Sequence, residues 1–297
     1  MVIVKLKGGL GNQMFQYATA YALAKSIKSS VYIDKSFLEK RGQTNSYTLR
    51  NYELGKLSLT TPRFVNRYKL MLLKLKSKLN TYLPSKLKFS VTFQTYTDQE
   101  FEKLSTLRYP QKGLIYLDGY FQTEDFIITQ RDELLSQFNV RQKLDSVNSK
   151  LIDNIIKENS VSIHIRRGDY VTNTEAGAFH GVCSLAYYKS AIEIIVNTIE
   201  APSFYFFSDD LEWVKKEINV PGRYKTTYVD NNQNENQFDL LLMSKCKHNI
   251  IANSSFSWWG AWLNQNSTKT VIAPGKWFAM KNELDSNIIP SYWIAIN

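Results

Sequence analysis

The stretch SIHIRRGDYV, residues 162–171, decides the fold, because it reads as a strand that ends in charge. Side chains alternate across a strand, so Ile163 and Ile165 share one face while Ser162, His164 and Arg166 share the other. Arg167, Gly168 and Asp169 then fall at the C-terminal edge, where open α/β sheets bind their ligands. Taken alone, the RRxD pattern admits a strand-end salt bridge from Arg167 to Asp169, worth little if exposed, as readily as a binding site.

On either side of this strand, helix and strand patterns alternate. A helix near 147–158 leads into it. After it come helix 185–199, strand 203–208, helix 210–218, strand 226–229, helix 236–246, strand 249–252, helix 256–265 and strand 270–273. A second series stands at the N-terminus: strand 2–6, the turn GGLGN, helix 13–28 and strand 30–34, joined later by LIYLDGYFQ (114–122) with a helix behind it. Strands alternating with helices imply parallel sheets covered on both faces. The expectation is an α/β chain of two domains, 1–148 and 149–297, with an irregular basic insertion at about 54–97.

The bulk numbers agree. A chain of 297 residues, 43% hydrophobic and 22% charged, suits two globular domains with proper cores. Cys183 and Cys246 cannot build a disulfide framework and fit a reducing compartment. Three histidines, His164, His180 and His248, make a His-based metal cage a poor reading. The apolar run of MVIVKLKGGLGN is too short for a signal peptide, and no stretch approaches the roughly 18 apolar residues of a membrane span. The expected location is cytoplasmic, with peripheral contact at the inner membrane as an option.

That option comes from the charge. The net charge is +10, and nine bases but no acid lie between Glu53 and Asp98. Within this segment RFVNRYKLMLLKLKSKL (63–79) interleaves bases with leucines. Its composition fits a basic amphipathic helix on an anionic membrane and equally a core-packing helix with a solvated basic face. No signature of a nucleic-acid-binding module accompanies the charge, which argues against a nucleic-acid partner.

Four polar clusters fall at expected strand ends: GGLGNQ (8–13), HIRRGDY (164–170), FSDD (207–210) and ANSSFSWWG (252–260). GGLGNQ is neither a Walker loop nor GxGxxG, yet it brings backbone N–H groups to a helix start where an anion can sit. ANSSFSWW does the same at another helix, with Ser254 and Ser255 able to cap it or to bond phosphate oxygens. One of Asp209 and Asp210 would cap the next helix, and the other could accept hydrogen bonds from a guanine edge. Arg166 and Arg167 offer bidentate donors suited to phosphate. Phosphate and base recognition together imply a nucleotide.

Together these blocks resemble the bacterial α-1,2-fucosyltransferases of glycosyltransferase family 11. The similar residues are GGLGNQMFQYATAYALA (8–24), GYFQ (119–122), SIHIRRGDYV, NQFDLLLMSKCKHNIIANSSFSWWGAWL (236–263) and PGKWF (274–278), spread over the whole chain. The resemblance implies a GT-B-like fold of two Rossmann-like domains facing each other across a cleft, the C-terminal one binding the donor. It implies GDP-β-L-fucose as donor, a terminal β-galactoside oligosaccharide as acceptor, and no required metal or other cofactor.

On this reading Arg166 meets the charge developing on the GDP leaving group, with His164 beside it and Asp169 either orienting an arginine or serving as general base. Donor contacts are expected from Gly9, Gly11, Asn12, Arg167, Asp209, Asp210, Asn253, Ser254, Ser255 and Phe256. Asp118, Tyr120 and Gln122 are expected to touch the acceptor, and Glu124 is a second candidate base. Transfer from a β-configured donor to an α-linked product inverts the anomeric centre, so a base for the acceptor hydroxyl is the usual requirement. The rival readings are a fucosyltransferase of another linkage, α-1,6 or protein O-linked, and a non-enzymatic basic nucleic-acid-binding protein.

Overall fold

A computed structural model describes residues 1–39, 50–60, 62–80, 82–84, 93–107, 113–168, 181–279 and 287–297. The described residues form two compact units that divide between Phe138 and Asn139.

The first unit holds β1 (Val2–Lys5), α1 (Leu10–Ser26), β2 (Val31–Asp34), α2 (Arg67–Leu79), β3 (Phe93–Tyr96), α3 (Phe101–Ser105), β4 (Leu114–Leu117) and α4 (Arg131–Gln137). Its four strands are parallel in the order β2-β1-β4-β3. Gly8, at φ +77°, makes the turn from β1 into α1, a conformation glycine adopts without steric cost. Helix α1 is buried on nearly all sides, including the polar Gln13, Gln16 and Thr19. On the other face Ile3, Leu114 and Tyr116 pack under Leu70 of α2.

The second unit holds α5 (Ser146–Lys157), β5 (Asn159–Ile165), α6 (Leu185–Thr198), β6 (Pro202–Ser208), α7 (Leu211–Glu217), β7 (Thr226–Tyr228), α8 (Asn236–Lys245), β8 (His248–Ile250), α9 (Ser255–Leu263), β9 (Val271–Pro274) and β10 (Ile294–Ile296). The strands are parallel in the order β10-β9-β8-β5-β6-β7. The alternation along β5 holds. Val161, Ile163 and Ile165 join Phe204 and Phe206 of β6 against Tyr187, Tyr188 and Ile195 of α6. Tyr205 and Phe207 point the other way, onto Ile155 of α5 and Leu242 and Met243 of α8.

The tryptophans of SSFSWWGAWL are core. Trp258, Trp259 and Trp262 are fully buried; Trp258 and Trp262 are stacked and Trp259 meets both edge-to-face, with centroids 5.1 to 6.1 Å apart. Trp258 Nε1 donates to the Ile288 carbonyl at 2.7 Å. Gly260 allows α9 to approach α8, since a Cβ there would stand 3.0 Å from Met243 Cβ. Among the described residues no helix is long and apolar enough to cross a membrane.

Candidate active site

In the second sheet β5 lies between β6 and β8, so the chain leaves β5 to build outward on both sides. The crevice at the C-terminal ends of such strands is the place where open α/β sheets bind ligands. Arg166 is the first residue past β5, and its Nη1 lies 2.7 Å from Asp209 Oδ2, just past β6. Asp209 Oδ1 accepts the Arg167 backbone N–H at 2.9 Å. Arg167 Nε donates to Asp210 Oδ2 at 3.2 Å, and its guanidinium lies 3.8 Å above the Trp213 ring. Asp210 Oδ1 accepts the Trp213 N–H and so caps α7.

RR and SDD are therefore one cluster. Arg167 does form a strand-end ion pair, but with Asp210 across the sheet; Asp169 lies outside the described residues. Arg166 and Asp209 are about a quarter exposed (26% and 25%), so their pair contributes about 1 kcal/mol or less to stability. Its consequence is orientation: both guanidinium planes are set before any ligand arrives. Gly168 is a glycine for the same reason, since a Cβ there would lie 2.6 Å from Asp209 Oδ2.

His164, on the face opposite Ile163 and Ile165, is buried beside the Phe256 ring, with centroids 5.7 Å apart. Burial pushes its imidazole down to about 4, and the neighbouring Arg166 adds to this against the pull of Asp209. A neutral imidazole suits hydrogen bonding rather than charge compensation. Its Nδ1 has no hydrogen-bond partner among the described residues, an omission that buried polar atoms rarely tolerate without a ligand or water.

Past β8, Ser254 caps α9 by accepting the Phe256 N–H at 3.3 Å, and Ser255 opens the helix. The first turn of a helix favours anions. Asn253 has a different occupation. Its Nδ2 donates to the carbonyls of Gly181 and Trp277, and its Oδ1 accepts from Cys183 Sγ, which ties three loops together.

The structure adds a carboxyl group that the sequence reading passed over. Asp239 sits partly buried at the start of α8. Asn232 Nδ2 donates to it at 2.8 Å, and Asn232 is held in turn by reciprocal bonds to the buried Asn148 at 2.9 and 3.1 Å. Burial pushes the Asp239 carboxyl up to about 7, with the Asn232 bond opposing. No ion-pair partner for it occurs among the described residues. In the sequence it looks like an ordinary polar position on a helix; its burial follows from packing against a segment some ninety residues earlier.

In the first unit the clusters GGLGNQ and LDGYFQ meet. Asn12 Oδ1 accepts from Gln122 Nε2 at 2.7 Å. The buried Gln13 and Gln16 clamp the glycine turn: Gln13 donates to the Gly8 and Asn51 carbonyls, and Gln16 bonds both backbone groups of Lys7. Asp118 lies 2.8 Å from Lys5 Nζ and 3.3 Å from Lys7 Nζ. Burial opposes its ionisation, but the two lysines prevail and hold its pKa below the usual carboxylate range. Lys7 Nζ also lies 4.6 Å over the half-exposed Tyr120 ring.

Phe121 stands at φ +52°, a left-handed conformation that costs a non-glycine residue about 1–2 kcal/mol. Asp98 compensates: its carboxylate accepts the N–H groups of Tyr120 and Phe121 at 2.6 to 3.0 Å. Gly9, Gly11 and Asn12, expected at the donor, thus share a unit with Asp118, Tyr120 and Gln122, expected at the acceptor, while Arg166, Arg167, Asp209, Asp210 and Ser254 to Phe256 gather in the other. Glu124 belongs to the first unit. Among the described residues no group of three or more His, Cys, Asp or Glu side chains is placed to hold a metal ion.

Each unit is thus a parallel-sheet α/β fold, and the second carries paired arginines where its strand order reverses. The sequence profile of glycosyl transferase family 11 matches residues 1–297, and the chain belongs to that family. It is 38% identical to the O-antigen biosynthesis glycosyltransferase WbnK of Escherichia coli over 97% of this chain and 98% of that one. It is 35% identical to an alpha-1,2-colitosyltransferase of Escherichia coli over 100% and 99%. The crystal structure of NodZ alpha-1,6-fucosyltransferase soaked with GDP-fucose shares the fold, with a TM-score of 0.50 at 14% identity over 88% of this chain and 91% of that chain.

Proposed function

We propose that the chain transfers L-fucose from GDP-β-L-fucose to the 2-hydroxyl of a terminal β-galactoside, with inversion and without a metal, in building a bacterial surface glycan. The observation that carries this reading is the pair of guanidinium groups at the end of β5, pre-set by Asp209 and Asp210. Displacement at the anomeric carbon leaves negative charge on the diphosphate, and fixed donors already aimed at that charge lower the barrier without reorganising. Arg166 and Arg167 are those donors, and the first turn of α9 with Ser254 and Ser255 adds to them. The neutral His164 bonds the donor through the Nδ1 that otherwise lacks a partner.

Asp209 and Asp210 serve the donor by setting the arginines. Base recognition then falls to Asp239, a carboxylate able to accept from guanine N1–H and N2–H together. Asn12 and the Gly9–Gly11 turn contribute backbone donors to the phosphates. Asp118, kept ionised by Lys5 and Lys7, accepts from acceptor hydroxyls, and Tyr120 and Gln122 complete that contact. Asp169 and Glu124 remain the candidates for the base.

A second reading has specific support. Colitose is fucose without its 3-hydroxyl, and a relative 35% identical along its length is named as an alpha-1,2-colitosyltransferase. Incubation with GDP-fucose and GDP-colitose over a panel of β-galactosides, followed by linkage analysis, tests both. An α-1,2-fucosyl product is expected. Exclusive use of GDP-colitose would transfer the reading to that sugar, and an α-1,6 product would overturn the linkage. EDTA is expected to leave the rate nearly unchanged.

Gly168 gives an independent check. Gly168→Ala is expected to push Asp209 away from Arg166 and to weaken GDP binding about tenfold, the scale of one charge-assisted hydrogen bond. Titration calorimetry with GDP would register the loss, while the melting temperature stays within a few degrees of the parent's.

A further inference from the structure

We propose that α2 is a membrane-seating helix, which lays the first unit on an anionic lipid surface through an outward apolar stripe framed by bases. The sequence left two orientations open for this helix, and the structure distinguishes them. Leu70 faces inward, 4% exposed, on Ile3, Leu114 and Tyr116. Lys74 Nζ lies 4.0 Å over the Tyr116 ring, and Ser77 Oγ donates to the Phe93 carbonyl. These three contacts fix the rotation of the helix about its axis.

Leu73 packs on the same cluster as Leu70, and the other apolar residues of the helix face outward. Tyr68 is 76% exposed, Met71 60%, Leu72 52%, Leu75 51% and Leu79 43%. At 3.6 residues per turn their spacing confines them to a stripe about 100° wide. The same geometry sets Lys69 and Lys76 along one border of the stripe and Arg67 and Lys78 along the other. An apolar strip with long basic side chains on both margins is the arrangement of a helix lying in a lipid interface, where the stems follow the acyl boundary and the charges reach the headgroups. Tyr82, 79% exposed just beyond the helix, adds a ring suited to headgroup depth.

Charge selects the occupant. No acid lies between Glu53 and Asp98, so two copies of this face would bring bases against bases. An anionic bilayer complements both the stripe and its margins.

The test is flotation of the full chain with vesicles of phosphatidylcholine alone or with about one quarter phosphatidylglycerol, at low and high salt. Binding is expected on the anionic vesicles at low salt, and to weaken at least about tenfold on phosphatidylcholine alone or in about 0.5 M salt. Leu72→Ser/Leu75→Ser and Lys69→Gln/Lys76→Gln are each expected to lower the floated fraction severalfold with the circular dichroism and melting temperature of the parent. A Leu72→Trp variant should shift its emission to the blue only with anionic vesicles. Three results would overturn the proposal: no flotation at low salt, flotation indifferent to the two serines, or a lipid-free dimer that the serines abolish. None of these readouts depends on the transferred sugar.

Discussion

Arg166→Lys is expected to lower turnover by about two to three orders of magnitude, which corresponds to about 2–4 kcal/mol of lost stabilisation at the leaving group. Lysine keeps the charge and can still reach Asp209, so the ion pair that orients the position survives in part and the fold should be unaffected. What disappears is the planar fork, and with it the simultaneous donation to two oxygens. The loss should therefore appear mainly in kcat, with a smaller rise in donor KM, because charge on the diphosphate is greatest in the transition state. Arg167→Lys also loses the stacking on Trp213. Near-parental kcat in Arg166→Lys, measured with saturating donor, would remove the central element of the proposed mechanism.

Asp239 gives the second large effect, and its sign can be worked out. With its pKa near 7 in the free protein, the carboxyl is ionised at pH 8 and largely protonated at pH 6. Only the ionised form accepts both guanine donors. Affinity for GDP-fucose should be level above pH 8 and fall toward about tenfold per pH unit below 7. GDP-fucose is the ligand of choice because its esterified β-phosphate has no titration near neutrality, unlike a free phosphate with a pKa near 6. Asp239→Asn should weaken binding at least about tenfold at pH 8 and abolish the slope.

The same substitution should act oppositely on stability. A folded-state pKa above the ordinary 3.8 means that the folded protein holds the proton more tightly than the unfolded chain. That contribution is present at low pH and is lost as pH rises through 7. Asp239→Asn should accordingly raise the melting temperature most at pH 8, less at pH 5, and hardly at all below the unfolded value of 3.8, where both states hold the proton. A mutant that is more stable yet binds donor poorly is difficult to explain by a purely structural role.

Much of this was legible in the sequence because parallel strands are buried on both faces and announce themselves as short apolar runs. VIVK, VSIHI and SFYFFS could hardly be anything else, and the glycines and charges that end them mark the ligand edge. Two strands were missed, Phe93–Tyr96 and Ile294–Ile296. Each lies at the outer edge of its sheet and is partly exposed; FQTY lacks an apolar run, and IAI, though apolar, is only three residues long. Helix α2 was legible as a helix but not in its orientation, since Leu70 and Leu73 look like Leu72 and Leu75 until the sheet beneath selects a face. Asp98, Gln13, Gln16 and Asp239 were invisible for another reason. Each acts through partners distant in sequence, as Asp98 does on Tyr120 and Phe121, and no local pattern encodes such a partner.

The strand order has a consequence for the chain while it is being made. β1 pairs with β2 at once, Val2 beside Val31, but its other edge belongs to β4, where Val2 meets Ile115. A ribosome that has released only the first hundred residues therefore presents Val2, Ile3 and Val4 with one edge bare, and β3 does not cover them, because among the described residues it pairs with β4 and not with β1. Long-range parallel pairing of this kind is slow, and bare apolar edges recruit other chains. Nascent first units should need a holding chaperone until translation has passed Leu117, and slower synthesis at low temperature would lengthen rather than shorten that exposure.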